Sequence, residues 1–506
     1  MKRVLGRDAV ALGAALAISI GLLLLNARRT FDFFDMSGFL DAGYRVYRGQ
    51  RLYVDFWYNA GPVHPALHAL SFHLFGFGQR AVLFHLSALL GAFGAAAYFL
   101  ARPALPPAAA AALTVVAVLG FAGPVSHPWY DLTAFLFVAL ALGCWHWHQQ
   151  LGTPRSAALA GASAGALAAL SFMTKANIGA AGAVVLVVLF ALAPHWRRAV
   201  PACIAGGVAG ALLVLALLDS PREFIYNAFI AYPVEKRFAD WLRLETTFTQ
   251  CFYLPVAVAA VGFSALAGAR FLRRRPHELV MLLAICAVST FAAWTGSMSL
   301  PAYTLGTGLA LIPLWRLVLA VPPERLSPPR KRAVLALAGL VSLMVVANIA
   351  EKTVRLETWR WRNTEEPLRS DHAFTSPPFA GWRCDRNVGL GVDSAVLFLQ
   401  SHARADESLL VFPDATFIYG LLGRPSFPDA PFIFHLGQGP PPGRWRDRFR
   451  ATLLGHPPEW IVIHYQREII FYDVFRMVTW LGMGELLQRY DVASSAGEVA
   501  VLRRRD

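Results

Sequence analysis

Along the first 350 residues, apolar runs of helical length alternate with short polar or aromatic stretches. The runs cover 9–26, 81–101, 108–124, 129–148, 156–173, 177–193, 199–218, 251–269, 278–295, 302–320 and 333–350. A helix crosses bilayer hydrocarbon with about 20 apolar residues, and its backbone groups are then satisfied internally. The pattern therefore predicts about eleven spans. Residues 63–75, VHPALHALSFHLF, are apolar but short and carry three histidines, so they predict an interfacial or re-entrant helix. Beyond 350 the period changes. ESLLVF (407–412), EWIVIHY (459–465) and EVAVLR (498–503) predict short buried strands. DSAVLFLQSHA (393–403) predicts an amphipathic helix with Asp393 at its N-cap. The predicted fold is a polytopic α-helical membrane protein. Its bundle covers 1–350, with a first outer loop at 27–80, and a small outer α/β domain covers 351–506.

Composition agrees with this class. The chain has 506 residues, 56% hydrophobic and 15% charged, and a mean hydropathy of +0.47, too apolar for a string of soluble domains. The net charge of +14 could suit a nucleic acid, but its distribution argues for membrane flanks and no nucleic-acid partner. With the N-terminus in the cytoplasm, the cytoplasmic segments carry 16 Lys and Arg against three acids, and the opposite loops carry 11 against 10. That asymmetry follows the positive-inside rule. The run 9–25 is long for a signal peptide and no A-x-A site follows, so it is expected to be a retained span. The loop 27–80, the short loops 123–131, 173–177 and 295–303, the loop 219–250 and the tail then face outward. The tail from Glu351 carries 19 acids and 19 bases. The five cysteines show no CxxC and predict neither a disulfide nor a thiolate-bound metal.

The outer face gathers the candidate chemistry. The stretch FDFFDMSGFLDAGYRVYRGQRLYVDF (31–56) brings Asp32, Asp35, Asp41 and Asp55 just behind the first span. Asp35 stands where a helix N-cap would stand, and Asp41 reads as a solvated face residue of that helix. A carboxylate at the mouth of an apolar bundle is also suited to general-base work, because desolvation raises its pKa. Asp55 precedes FWYNAGPVHP, whose Trp57 and Tyr58 read as interface anchors. His64 and His68 lie at i and i+4, but no third ligand has convincing spacing, so no metal is expected there. His127, Trp129, Tyr130 and Asp131 open the fourth span, either as an N-cap with membrane-edge aromatics or as one wall of an outer pocket. Lys175 and Asn177 sit in a tight connection at the bilayer edge. A lysine on that side runs against the charge bias, and an anionic partner such as a lipid phosphate would explain it. In the loop 219–250, Lys236 and Arg237 are either part of a solvated helix or a clamp for a phosphate leaving group.

These motifs resemble those of the integral-membrane class C glycosyltransferases. They are most similar to bacterial relatives of the protein O-mannosyltransferases and of the lipid A aminoarabinose transferase. The resemblance rests on FDMSGFLDAG with Asp35 in the first outer loop, GQRLYVD (49–55), GPVHPALHAL (61–70) and KANIG (175–179). In the tail it rests on VFPDATFIYGLLGRPS (411–426) and HPPEWIVI (456–463). Many relatives have Asp-Glu in the first loop where this chain has Asp35-Met36, and Asp32 is then the second carboxylate. The resemblance implies sugar transfer, with inversion, from a polyprenyl-phosphate donor to a glycan, lipid or protein acceptor. It implies that Asp35, with Asp32, acts on the acceptor. It also implies that Lys175, with Lys236 or Arg237, stabilises the departing phosphate. Asp55, His64, His127, Tyr130, Asp131 and Asn177 would line the substrate pocket. No cofactor is implied, although some distant relatives hold a divalent cation. The implied location is the bacterial inner membrane, with the N-terminus cytoplasmic and the C-terminal domain periplasmic. A flippase or transporter for lipid-linked saccharides is the alternative, but it should carry ionisable residues at mid-bilayer in broken spans, whereas these charges sit at span ends. A membrane scaffold gives no reason for carboxylates and cations to share one face.

Overall fold

The computed structural model describes residues 2–29, 31, 33, 35–58, 60–123, 127–227, 229, 276–295, 305–320, 327–355, 371–429, 443–465, 478–479 and 481–505. The chain divides into two compact units. One comprises Met1–Asn26, Ser87–Leu215 and Trp241–Thr358; the other comprises Ala27–Leu86, Ala216–Asp240 and Trp359–Asp506. Asp32, Lys236, Arg237 and the run 251–269 lie outside the described residues.

The described helices before residue 360 are α1 (Lys2–Ala27), α2 (Asp35–Tyr47), α3 (Val63–Phe75), α4 (Gln79–Ala101), α5 (Pro107–Ala122), α6 (Tyr130–Leu151), α7 (Pro154–Phe172), α8 (Ala176–Ala191), α9 (Trp196–Ala216), α10 (Pro221–Tyr226), α11 (Pro276–Thr295), α12 (Thr307–Leu319) and α13 (Pro328–Arg355). Among the described residues, five segments are long and apolar enough to cross a membrane: Gly6–Ala27, Gln79–Ala101, Tyr130–Leu151, Trp196–Ala216 and Lys331–Glu351. Four more apolar stretches, in α5, α8, α11 and α12, are shorter. The chain is a multi-pass membrane protein.

In the first unit α6, α7 and α8 pack against one another, α8 also meets α11, and α12 lies against α5, α11 and α13. The α6–α7 hairpin turns at Gly152, and Thr153 then caps α7 by accepting from the Ser156 backbone N–H. Arg316, a cytoplasmic flanking charge by sequence, is buried within α12. Its Nη2 and Nε reach Glu278 Oε1 at 2.6 and 2.9 Å, and its Nη1 donates to the Leu100 carbonyl at 2.5 Å. A guanidinium taken out of water needs such a set of acceptors.

In the second unit α2 packs on α3. The contact is close at Gly43, where a Cβ would stand 2.4 Å from the His68 Cβ. The tail contributes α14 (Arg386–His402), α15 (Ile418–Leu422), α16 (Gly443–Gly455) and α17 (Met483–Leu487). Strands β1 (His372–Ala373) and β2 (Arg383–Cys384) pair antiparallel. Strands β3 (Leu409–Phe412), β4 (Trp460–His464), β5 (Tyr490–Ala496) and β6 (Val499–Arg504) form one sheet in the order β3-β4-β6-β5. β3 and β4 run parallel, the other pairs antiparallel, and α14 covers β5 and β6. The tail is thus the expected small α/β arrangement, with the short pair β1 and β2 and the sheet strand β5 that the sequence did not announce. Asp393 is not an N-cap. Asp385 caps α14 through the Asn387 and Val388 N–H groups, while Asp393 lies inside the helix. Its carboxylate accepts from the Thr375 and Ser376 N–H groups, the Ser376 hydroxyl and His372 Nε2.

Candidate active site

Asp35 is the first residue of α2 and is buried. At a helix start the carboxylate meets the positive end of the backbone dipole. Behind it, Asp41 is not a solvated face residue. It is fully buried, its Oδ2 accepts from Arg45 Nε at 2.9 Å, and its Oδ1 accepts from the Ser426 hydroxyl at 2.5 Å. The helix face expected to meet solvent is covered here by the tail segment carrying Ser426.

Trp57 and Tyr58 are likewise fully buried rather than interface anchors. Trp57 Nε1 donates to Asn227 Oδ1 at 3.0 Å, and Tyr58 Oη is hydrogen-bonded to His64 Nδ1 at 3.1 Å. Burial first, then the neighbouring Tyr53 and the Asp35 carboxylate, push the Tyr58 phenol well above its ordinary pKa. It stays a neutral hydroxyl within the electrostatic reach of Asp35. His64 stacks edge-on with His68 at 4.7 Å between ring centroids, and His68 with His85 of α4 at 4.5 Å. Among the described residues, no group of three or more His, Cys, Asp and Glu has metal-site geometry. Asp55 is half-exposed and engaged by Arg51, whose Nη2 donates to Oδ1 at 2.9 Å and whose backbone N–H donates to Oδ2 at 2.7 Å. The Arg51 side chain, above all, holds its carboxyl below the usual range.

The first unit holds the other candidates. Lys175 is buried at 4% exposure, between α7 and α8, and its ammonium pairs with Asp131, which is fully buried at the start of α6. The ammonium also lies 4.5 Å from the Tyr130 ring centre and 5.7 Å from that of Trp129. Aromatic faces attract a cation most when water is excluded. Asp131 is therefore not the helix cap: the N-cap of α6 is Trp129, with no side-chain cap. Asn177 is half-buried in the first turn of α8, and His127 is buried just before α6.

The KANIG motif explains how Lys175 is fixed. Ser171 Oγ donates to the Ala134 carbonyl at 2.9 Å, joining the end of α7 to α6 one turn past Asp131. The Lys175 N–H donates to the Ser171 carbonyl at 2.8 Å. At Gly179 a Cβ would lie 2.1 Å from the Phe172 backbone nitrogen, so only glycine lets α8 fold back this closely. The structure therefore joins Lys175, Asp131 and Tyr130, and separately joins Tyr58 and His64. Asp55 stands with Arg51. Sequence reasoning missed Tyr58, whose signal was its place six residues before His64 in an apolar, aromatic run.

By overall shape, the chain is similar to "Crystal Structure of ArnT from Cupriavidus metallidurans bound to Undecaprenyl phosphate", with a TM-score of 0.57, 13% identity and 97% of each chain covered. It is also similar to the same protein in the apo state, with a TM-score of 0.54, 15% identity and 97% of each chain covered. The chain has the ArnT fold, a class C glycosyltransferase fold. Residues 59–219 of the chain match the family model for dolichyl-phosphate-mannose-protein mannosyltransferase. That segment holds His64, His127, Tyr130, Asp131, Lys175 and Asn177, and it begins after Asp35. No curated protein sequence matches the chain.

Proposed function

We propose that this class C protein transfers a sugar from a polyprenyl-phosphate-linked donor to an acceptor at the outer face of the inner membrane, with inversion at the anomeric carbon. The observation that carries the reading is Lys175. A buried ammonium sits beside aromatic faces, at the end of a tight connection between two apolar helices. The leaving group in such a transfer is a lipid-borne phosphate, and a fixed cation in a water-poor site stabilises its charge as it departs. The undecaprenyl phosphate bound by the similarly folded ArnT supports the same class of ligand.

In this mechanism Asp35 takes the proton from the acceptor hydroxyl. The acceptor oxygen forms its bond to the anomeric carbon, and the bond from that carbon to the phosphate oxygen breaks. The electron pair stays on the polyprenyl phosphate, where Lys175, assisted by Lys236 or Arg237, meets it. Asp32 is the second carboxylate of the first loop. His127, Tyr130 and Asn177, with Asp55 and His64, shape the substrate subsites, and Asp131 supplies the countercharge for Lys175 in the absence of donor. The acceptor is a glycan, lipid or protein hydroxyl. The test is Asp35→Asn in purified full-length protein, supplied with undecaprenyl-phosphate pentose and hexose donors. Loss of transfer with an unchanged unfolding profile supports the base role, and undiminished transfer ends it.

A further inference from the structure

The tail contains a buried charge cluster that the proposed mechanism does not use. His464, at the end of β4, is fully buried, and its Nδ1 lies 2.5 Å from Asp414 Oδ1. Its Nε2 lies 3.6 Å from Glu498 Oε2, in the turn between β5 and β6. Asp414 follows β3 and is itself buried. A histidine between two carboxylates is an expensive arrangement to place in a core unless the pairing is kept.

The loop that begins at Asp414 holds the chain on both sides of Asp35. The Ala415 N–H donates to the Phe33 carbonyl at 3.4 Å, two residues before Asp35. The Phe417 N–H donates to the Ser37 hydroxyl at 3.1 Å, two residues after it. The Ser37 hydroxyl is also 3.5 Å from Thr416 Oγ1. Aromatic contacts fill the same place: Phe417 lies 4.5 Å from Phe31 between ring centres, and Phe33 lies 6.4 Å from the His464 ring. Ala415 adopts a left-handed φ of +58°, which a non-glycine residue keeps only where its surroundings impose it.

We infer that Asp414, His464 and Glu498 form a charged clamp that anchors the 414–417 loop and thereby positions Asp35 for its reaction. These three are positioning residues. The inference rests on Asp35 being the acceptor base, but the clamp itself can be tested apart from that role.

The clamp has a pH signature. Burial opposes the charged imidazolium, but Asp414, by charge and hydrogen bond, and Glu498 outweigh it and raise His464 to about 9. Among the described residues, these two carboxylates are the charged groups that bear on the ring, one following β3 and one from the β5–β6 turn. A pKa raised on folding means the clamp is fully present below the unfolded value of about 6.5 and is lost as pH rises through about 9.

The experiment uses the full chain in nanodiscs, with hydrogen exchange at neutral pH and turnover measured between pH 6 and 10. The donor is whichever undecaprenyl-phosphate pentose or hexose the wild type uses. His464→Gln and Asp414→Asn should speed exchange of the amides near 35–40 and 415–417 by roughly tenfold or more, with the apolar helices unchanged. They should lower kcat and leave the donor KM unchanged. Glu498→Gln should keep exchange at the wild-type rate and move the alkaline limb of turnover down by about one pH unit. Unchanged exchange in His464→Gln, or an unmoved limb in Glu498→Gln, overturns the clamp. If His464→Gln loosens the whole molecule, the Glu498→Gln limb decides alone. Should Asp35→Asn remain active, the base assignment falls while the exchange data still judge the clamp.

Discussion

The sharpest prediction concerns Lys175 and Asp131, because two accounts of the same ion pair diverge there. In one the pair is structural. In the other Lys175 awaits a phosphate, and Asp131 neutralises it until the donor arrives. Both side chains are buried, at 5% and 0% exposure. Lys175→Met keeps the length and apolar stem but strands a carboxylate in the interior, and removing one partner of a buried pair costs about 3–5 kcal/mol. Asp131→Asn strands the ammonium at a similar cost. The double variant K175M/D131N removes both charges, so most of that stability should return. Transfer should behave differently. Loss of one fixed charge-stabilising donor costs about 10²–10³ in turnover, and the double variant should be as slow as Lys175→Met alone. The assay is a double-mutant cycle with two readouts: thermal unfolding in nanodiscs, and sugar release from an undecaprenyl-phosphate donor. If turnover recovers together with stability in K175M/D131N, the phosphate role of Lys175 is refuted and the pair is a structural clasp.

Gly179→Ala places a methyl group 2.1 Å from the Phe172 nitrogen, so the α7–α8 connection must shift; we expect a loss of about 1–3 kcal/mol and a fall in transfer, read by thermal unfolding and turnover. Asp41→Asn leaves the buried Arg45 without its carboxylate, and the expected cost is about 3–5 kcal/mol, seen as an earlier unfolding transition; an unchanged transition would show that Arg45 finds other compensation. Asp35→Asn should abolish transfer without moving that transition, because a neutral isostere keeps its place at the start of α2.

Much of the helical architecture was legible because lipid imposes a simple rule on composition. Where the chain crosses apolar surroundings, side chains are apolar for the length of the helix, and the ends carry Pro, Gly or charge. The run 63–75 is α3 to the residue, since Pro62 and Gly76 bound it. What eluded the sequence was pairing across distance. Asp41 and Arg45 at i, i+4 look like a surface pair, and only the Ser426 segment, 385 positions later, covers them. Lys175 and Asp131 were read apart, since nothing local shows that the start of α6 and the α7–α8 connection bring them together. The strand β5 is a sheet edge whose residues are mostly exposed, so it lacked the apolar alternation that marked its neighbours. Asp393 was misassigned because the helix begins a full two turns earlier, at a cap supplied by Asp385.

The two candidate catalytic groups share a design that follows from the chemistry they are proposed to do. Charge that develops in a transition state is stabilised only by groups already in place, because reorganising dipoles during the reaction costs free energy. Neither Lys175 nor Asp35 is held by its own helix alone. Lys175 is placed by Ser171 bonding across to α6 and by the backbone approach that Gly179 permits. Asp35 is bracketed by bonds from Ala415 and Phe417, residues of the tail. The KANIG and VFPDATF stretches are thus support for charges that lie within or beyond them. Substitutions in the tail loop should then lower turnover without touching substrate, whereas the same changes in a domain that merely decorates the bundle would leave turnover unaltered.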